Sequence, residues 1–257
     1  MSDWDPEAYA RFRDLRLRPA LDLLARVPQL PAGDVVDLGC GAGAAGPALA
    51  ARYPDRTLTG VDASPAMLAR ARAGGIYGAL VEADAGAWAP AAPAALLFSN
   101  ALLHWLPDHR GLFPRLAGIV ASGGALAVQM PRQEFAPSHR FLRDIAADMF
   151  PDRFDLSGWM PRVMAPVDYV RLLTPLGQVD AWETDYIQRL APAEGAHPVR
   201  RFTEATAMRP FLDAMDANEA AAFVARYEEA LVAAYPAEAD GSVLFPFRRL
   251  FLILTRG

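Results

Sequence analysis

Cysteine is almost missing from this chain: its 257 residues hold one, Cys40. A single thiol cannot close an internal disulfide, and a cysteine-rich metal site is out of reach. This suits a reducing compartment. Long apolar runs are missing as well, since no stretch approaches the roughly 18 residues that span a bilayer. The opening, Met1-Ser2-Asp3-Trp4-Asp5, is acidic, without a basic-then-apolar leader. The expectation is a cytoplasmic protein with no membrane partner. There is no excess of basic charge either. Against 25 arginines and lysines stand 30 acids, a net charge of −5, which speaks against a nucleic-acid partner but leaves room for a local cationic pocket. His139 and His197 lack companions at ligand spacing, so no metal is assigned. All 25 of these basic residues are arginine and none is lysine, a bias we attribute to base composition.

What is present is apolar mass. Apolar residues make up 53% and charged residues 21%, enough for a large core, and we expect one domain over 1–257. A helical stretch over 6–27 breaks at Arg18-Pro19. Then short apolar runs alternate with helical segments. Strands are expected at Val35–Leu38, Leu58–Asp62, near Val81-Glu82, at Ala95–Ser99 and at Ala125–Gln129. Helices are expected at Ala44–Tyr53, Pro65–Ala73 (capped by Ser64) and about Asp108–Val120. Such alternation, with strands apolar on both faces, predicts an α/β fold with a doubly wound, mostly parallel sheet. The second half is less regular. It holds helices near Ser138–Met149, at Val167–Leu176 and across 198–235, where Phe223, Tyr227, Leu231 and Tyr235 share one face. Two late strands, Gln178–Gln188 and Leu244–Thr255, suggest an antiparallel edge. Segments 131–165 and 190–240 read as insertions.

The strongest local signal is Asp37-Leu38-Gly39-Cys40-Gly41-Ala42-Gly43, directly after the first strand. Gly39, Gly41 and Gly43 allow a sharp turn and bring bare backbone to a ligand at the carboxyl end of the sheet. Two cofactors fit. Residues 41–46 match the dinucleotide pattern G-x-G-x-x-G, with Asp62 at a suitable distance for a ribose. S-adenosyl-L-methionine fits better. Asp37 could meet its ammonium, Asp62 and Ala63 its ribose, and Asp84 and Ala85 its adenine. This set of acids contains no phosphate binder. Asp84 in a plain Asx turn is the competing reading, and Cys40 reads as inert packing.

The run D-L-G-C-G-A-G, then V-D-A-S-P-A-M-L (Val61 to Leu68) and V-E-A-D (Val81 to Asp84), resembles class I methyltransferases in order and spacing. Further segments tighten the resemblance: S-D-W-D-P (Ser2 to Pro6), N-A-L-L-H-W-L-P-D-H (Asn100 to His109), A-V-Q-M-P (Ala127 to Pro131), M-R-P-F-L (Met208 to Leu212) and R-L-F-L-I-L-T-R (Arg249 to Arg256). Together they resemble the trans-aconitate 2-methyltransferase family over essentially the whole chain. The resemblance implies a Rossmann-like seven-stranded sheet whose helical insertions form a substrate lid. It also implies O-methylation of a carboxylate of a small tricarboxylic acid, giving a monomethyl ester. The turn departs from the family's usual residues at Ala42, Ala44 and Ala45.

A carboxylate is ionised at neutral pH and needs no general base, so the residues to seek are cations and donors. Arg209 is the first candidate for substrate and Arg249 the second. His104 and Trp105 follow the fourth strand, where substrate must meet the methyl group. Tyr169 and Tyr186 are further candidates. Asn100 and Ala101 would supply backbone near the cofactor's methionine end, with Tyr9 or Arg18 of the leading helix reaching its carboxylate. The partner is then a small carboxylic acid, and the protein a monomer or weak homodimer. The alternatives are a carboxyl methyltransferase on another acid, such as a malonyl thioester, a nicotinamide-dependent oxidoreductase, and a non-catalytic cofactor-binding protein.

Overall fold

A computed structural model describes residues 13–154, 156 and 160–257, with the side chains of 13–16 left aside. The chain divides into two compact units. The first is Met1–Pro131, Arg162–Thr184 and Arg249–Gly257; the second is Arg132–Pro161 and Asp185–Arg248. Of the two segments read as insertions, 132–161 and 190–240 lie in the second unit.

The first unit opens with helix α1 (Arg13–Arg26), which continues through Pro19. The expected break is absent. Ala20, Leu23 and Leu24 of this helix are buried, and burying two leucines contributes about 3–6 kcal/mol, against about 3 kcal/mol for an interior proline. Strand β1 (Val35–Leu38) leads through the glycine turn to α2 (Gly46–Arg52). Then come β2 (Leu58–Asp62), α3 (Pro65–Ala73), β3 (Ala79–Glu82) and β4 (Ala94–Asn100). Ser64 caps α3, its side chain accepting from the Met67 amide at 3.4 Å, and Pro65 stands in the first turn where no amide is needed. After a single 3-10 turn (Leu103–Trp105) follow α4 (His109–Gly118), capped by Asp108, and β5 (Val120–Pro131).

Strand β5 starts five residues earlier than its apolar run suggested. Ala94 pairs with Val120 and Leu96 with Ala125, so an irregularity around Gly123 is accommodated inside the strand. Helix α6 (Pro166–Leu173) ends in a 3-10 turn over Thr174–Leu176 rather than running to 176 as α-helix.

The second unit holds α5 (Pro137–Met149), α7 (Pro198–Glu204), α8 (Arg209–Leu212) and α9 (Ala217–Ala234). Asp216 and Glu219 form a capping box at the start of α9. Its expected stripe, Phe223, Tyr227 and Leu231, is fully buried, and the Tyr227 hydroxyl donates to the Ser138 carbonyl at 2.7 Å. Strands β6 (Gly177–Leu190) and β7 (Val243–Arg256) each have residues in both units.

The sheet has seven strands in the order β3-β2-β1-β4-β5-β7-β6. The pairs among β1 to β5 are parallel, and β7 runs antiparallel to β5. This is a Rossmann-like, mostly parallel sheet. The strand order reverses between β1 and β4, and in open sheets the crevice at such a switch point takes ligands. Beneath it lies a core of Leu38, Leu97, Leu126, Val128, Phe113, Tyr169 and Leu252, all with 0% exposure. No described helix is long and apolar enough to cross a membrane.

Candidate active site

The glycine turn leaves β1 at its carboxyl end. The Gly39 and Cys40 amides donate to the Val61 carbonyl at 2.7 and 3.0 Å, which ties the turn to β2. Gly39 has φ +78°, and a Cβ there would stand 2.6 Å from Leu102, so only glycine fits. At Gly41 the opposite holds: a Cβ would meet nothing within 4 Å. The turn thus presents bare backbone to open space, as a cofactor lying on it requires. Gly43 closes the turn, its amide donating to the Cys40 carbonyl at 2.9 Å. Cys40 is buried; burial first, then the charges of Asp37 and Asp62, push its thiol up, which leaves it inert.

Asp37 is 2% exposed, inside β1. Burial pushes its carboxyl up to about 6, with the hydrogen bond from Tyr77 pulling the other way and Asp62 adding to the rise. The Tyr77 hydroxyl donates to Asp37 Oδ2 at 2.7 Å. Its ring lies under the turn, so close that a Cβ on Gly46 would stand 2.8 Å from the hydroxyl. The Gly46 amide also faces that oxygen. Sequence reasoning missed Tyr77, because it stands in an unremarkable loop, Gly74-Gly75-Ile76-Tyr77-Gly78, 40 residues from its partner.

Asp62 ends β2. Its Oδ2 accepts from the Gly41 amide and its Oδ1 from the Ser64 amide, both at 2.9 Å. Each oxygen keeps a second lone pair for a ribose hydroxyl. Ala63 is exposed beside it. Asp84, after β3, is exposed and forms an Asx turn, Oδ1 accepting from the Gly86 amide at 2.8 Å. Ala85 is buried. Arg115 of α4 holds this loop, donating to the Ala85 carbonyl at 2.7 Å and the Trp88 carbonyl at 2.9 Å. Arg115 stands in the family-like segment L-F-P-R-L (Leu112 to Leu116) but had no expected role, because its partners lie 27 and 30 residues away.

Asn100 ends β4, with its Oδ1 buried and unpartnered. Ala101 adopts φ +56°, a conformation that costs a non-glycine residue about 1–3 kcal/mol, and its amide donates to the Gln129 carbonyl at 2.9 Å. This bend leads to His104 and Trp105, whose rings lie 4.7 Å apart. His104 Nδ1 is enclosed and unpartnered. Burial, followed by the charges of Arg249, His109 and Arg162, lowers its pKa to about 3, so the imidazole is neutral. Trp105 is 47% exposed. Arg249 is 5% exposed on β7, paired with Pro131 at the end of β5.

The remaining candidates are placed elsewhere. Tyr169 is a core residue of the first unit, with no exposure. Its hydroxyl meets His109 Nδ1 at 2.5 Å and accepts from the Met164 amide, which fixes the ring within the core. Arg18 lies exposed on α1, 3.9 Å from Asp22. Tyr9 is outside the described residues. Arg209, exposed at the start of α8, and Tyr186, buried in β6, belong to the second unit.

A glycine turn open to a ligand at the switch point of a Rossmann-like sheet is what a nucleoside-bearing cofactor needs, and the protein's relatives fix which one. The protein is a class I, S-adenosylmethionine-dependent methyltransferase. Comparison with known proteins agrees. A family described as a methyltransferase domain matches residues 35–124. The chain is 47% identical to the trans-aconitate 2-methyltransferase of Methylobacterium nodulans, over 100% of this chain and 99% of that protein. It is 41% identical to the one from Rhizobium meliloti, over 98% of each. Among solved structures, the YcgJ protein of Bacillus subtilis aligns with a TM-score of 0.58 at 13% identity, covering 93% of this chain and 99% of that one. The phosphoethanolamine N-methyltransferase 2 of Haemonchus contortus, in complex with S-adenosyl-L-methionine, aligns at 0.53 and 16% identity, covering 93% and 53%. These two share the fold. The full-length relatives go further: the chain belongs to the trans-aconitate 2-methyltransferase family. The nicotinamide reading of the turn gives way with that.

Proposed function

We propose that this protein methylates a carboxylate of trans-aconitate, forming the monomethyl ester. The cofactor, when bound, supplies a methyl group carried on a sulfonium. Asp37 stands below the turn where an ammonium would be met, Asp62 serves the ribose, and the loop held by Arg115 borders the adenine. The substrate carboxylate is ionised at neutral pH and would attack the methyl carbon directly, a C–O bond forming as the C–S bond breaks and S-adenosylhomocysteine leaving as a neutral thioether, so no side chain has to take a proton. The residues after β4 fit that economy. His104 is neutral and cannot act as a counter-charge, and the buried guanidinium of Arg249 orients the anion and strips it of water. That buried cation, near a neutral imidazole that follows β4, is the observation that carries the reading. One cysteine and a small diffusible substrate suit a cytoplasmic protein, which we take to be a monomer or weak homodimer.

The experiment is methyl transfer from labelled S-adenosylmethionine to a panel of di- and tricarboxylates. Turnover on trans-aconitate above the other acids supports the proposal. Preference for another acid, such as a malonyl thioester, would move the substrate and keep the reaction. Cofactor binding with no turnover on any acid would refute it.

A further inference from the structure

The interior of β5 is apolar except at one place. Ala125, Leu126, Ala127, Val128 and Met130 are fully buried, and so is Gln129. Both Gln129 Oε1 and Nε2 are enclosed with no hydrogen-bond partner among the described residues. Folded proteins satisfy nine in ten or more of their buried polar groups, so an amide left wholly unpaired calls for a cause. A leucine would fill the same space without leaving those atoms unpaired.

The register shows what surrounds it. Gln129 pairs with Asn100 on β4 and with Phe251 on β7, and Pro131 pairs with Arg249. Side chains alternate along a strand, so Asn100, Gln129 and Arg249 stand on one face of the sheet, at the carboxyl ends of β4 and β5. Asn100 Oδ1 is likewise buried and unpartnered. Going outward from β1, which bears the glycine turn, Asn100 comes first and Gln129 a strand further. The amide is therefore on the substrate's side of the row.

We infer that Gln129 is a specificity-determining residue, whose amide Nε2 donates to a carboxylate oxygen of the bound acid while its Oε1 accepts from an accompanying water. This rests on the carboxylate reading proposed above and adds to it a neutral donor beside the Arg249 cation. An amide and a guanidinium together present donors to both oxygens of one carboxylate, which selects planar acids over alcohols or amines.

The test is Gln129→Leu in the full chain, with trans-aconitate titrated calorimetrically in the presence of S-adenosylhomocysteine. The acid should bind about ten- to a hundredfold more weakly than to the unaltered protein. The melting temperature should hold or rise, because two unpaired polar atoms are gone, and the affinity for S-adenosylhomocysteine alone should not change. Gln129→Glu should abolish acid binding by repulsion. A fall in melting temperature with acid affinity intact would make Gln129 structural and overturn the inference. Loss of S-adenosylhomocysteine affinity with acid affinity intact would assign the amide to the cofactor and also overturn it. If the unaltered protein binds the acid but does not methylate it, the proposed reaction fails, and the weaker binding of Gln129→Leu still supports this residue. If the unaltered protein binds no acid, both fail.

Discussion

Replacing Tyr77 by phenylalanine removes one oxygen and leaves in place the ring that packs under the glycine turn. The oxygen matters because it donates to the buried Asp37 carboxylate at 2.7 Å. Asp37 has an ordinary value of 3.8 and is raised to about 6 in the fold. A raised carboxyl favours the protonated form, so the stability linked to it is full below pH 3.8 and is lost as pH rises through 6. The full loss is about 3 kcal/mol, at roughly 1.4 kcal/mol per tenfold change in proton binding. A hydrogen bond to a charged group contributes about 1.5–3 kcal/mol. Without the hydroxyl, the loss deepens by that amount and its midpoint moves to higher pH. Urea unfolding followed by tryptophan fluorescence, at pH 5 and pH 8.5, measures this. Tyr77→Phe should cost no more than about 1 kcal/mol at pH 5, where Asp37 is protonated, and about 1.5–3 kcal/mol at pH 8.5. Equal losses at the two pH values would refute the reasoning and reduce Tyr77 to packing. Cofactor affinity gives a second readout. A proposed contact between ionised Asp37 and a cationic cofactor should weaken as pH falls below 6, and in Tyr77→Phe the weakening should begin at higher pH.

Other substitutions test other parts of the site. Gly39→Ala forces a Cβ into Leu102 at a positive φ, and should cost about 2 kcal/mol or more in urea unfolding, with a matching fall in kcat/KM for cofactor. Arg115→Ala releases the Ala85 and Trp88 carbonyls; steady-state kinetics should show a severalfold higher KM for cofactor with KM for the acid unchanged. Tyr169→Phe leaves His109 Nδ1 without its partner and should lower stability by about 1–3 kcal/mol in a melting experiment. Its KM values should stay as they were, which separates a core tyrosine from a substrate contact.

Much of the first unit was legible because its signals are local. The run Val35-Val36-Asp37-Leu38 followed by glycines announces a buried strand and a tight turn. Ser64-Pro65 announces a helix start, and both stand where expected. The antiparallel edge was legible from two late apolar runs, although the pairing of β7 with β5 was not, because register across more than a hundred residues leaves no local trace. Pro19 misled because a local penalty was weighed without the buried face that offsets it. Tyr169 shows how far a residue type and its burial can point apart. Its phenol suggested a ligand contact, while burial against His109 and Phe113 makes it core.

By itself, then, the sequence determined the alternation of strands and helices, the glycine turn, and the acids that end β2 and follow β3. These depend on backbone preferences and apolar periodicity within a few residues. The tertiary structure alone decided which side chains meet. Tyr77 reaches Asp37 across 40 positions, Arg115 reaches the loop after β3, and Gln129 falls in one row with Asn100 and Arg249. The physical reason is that hydrogen bonds and burial depend on distance in space, which strand order and register set only once the sheet is assembled.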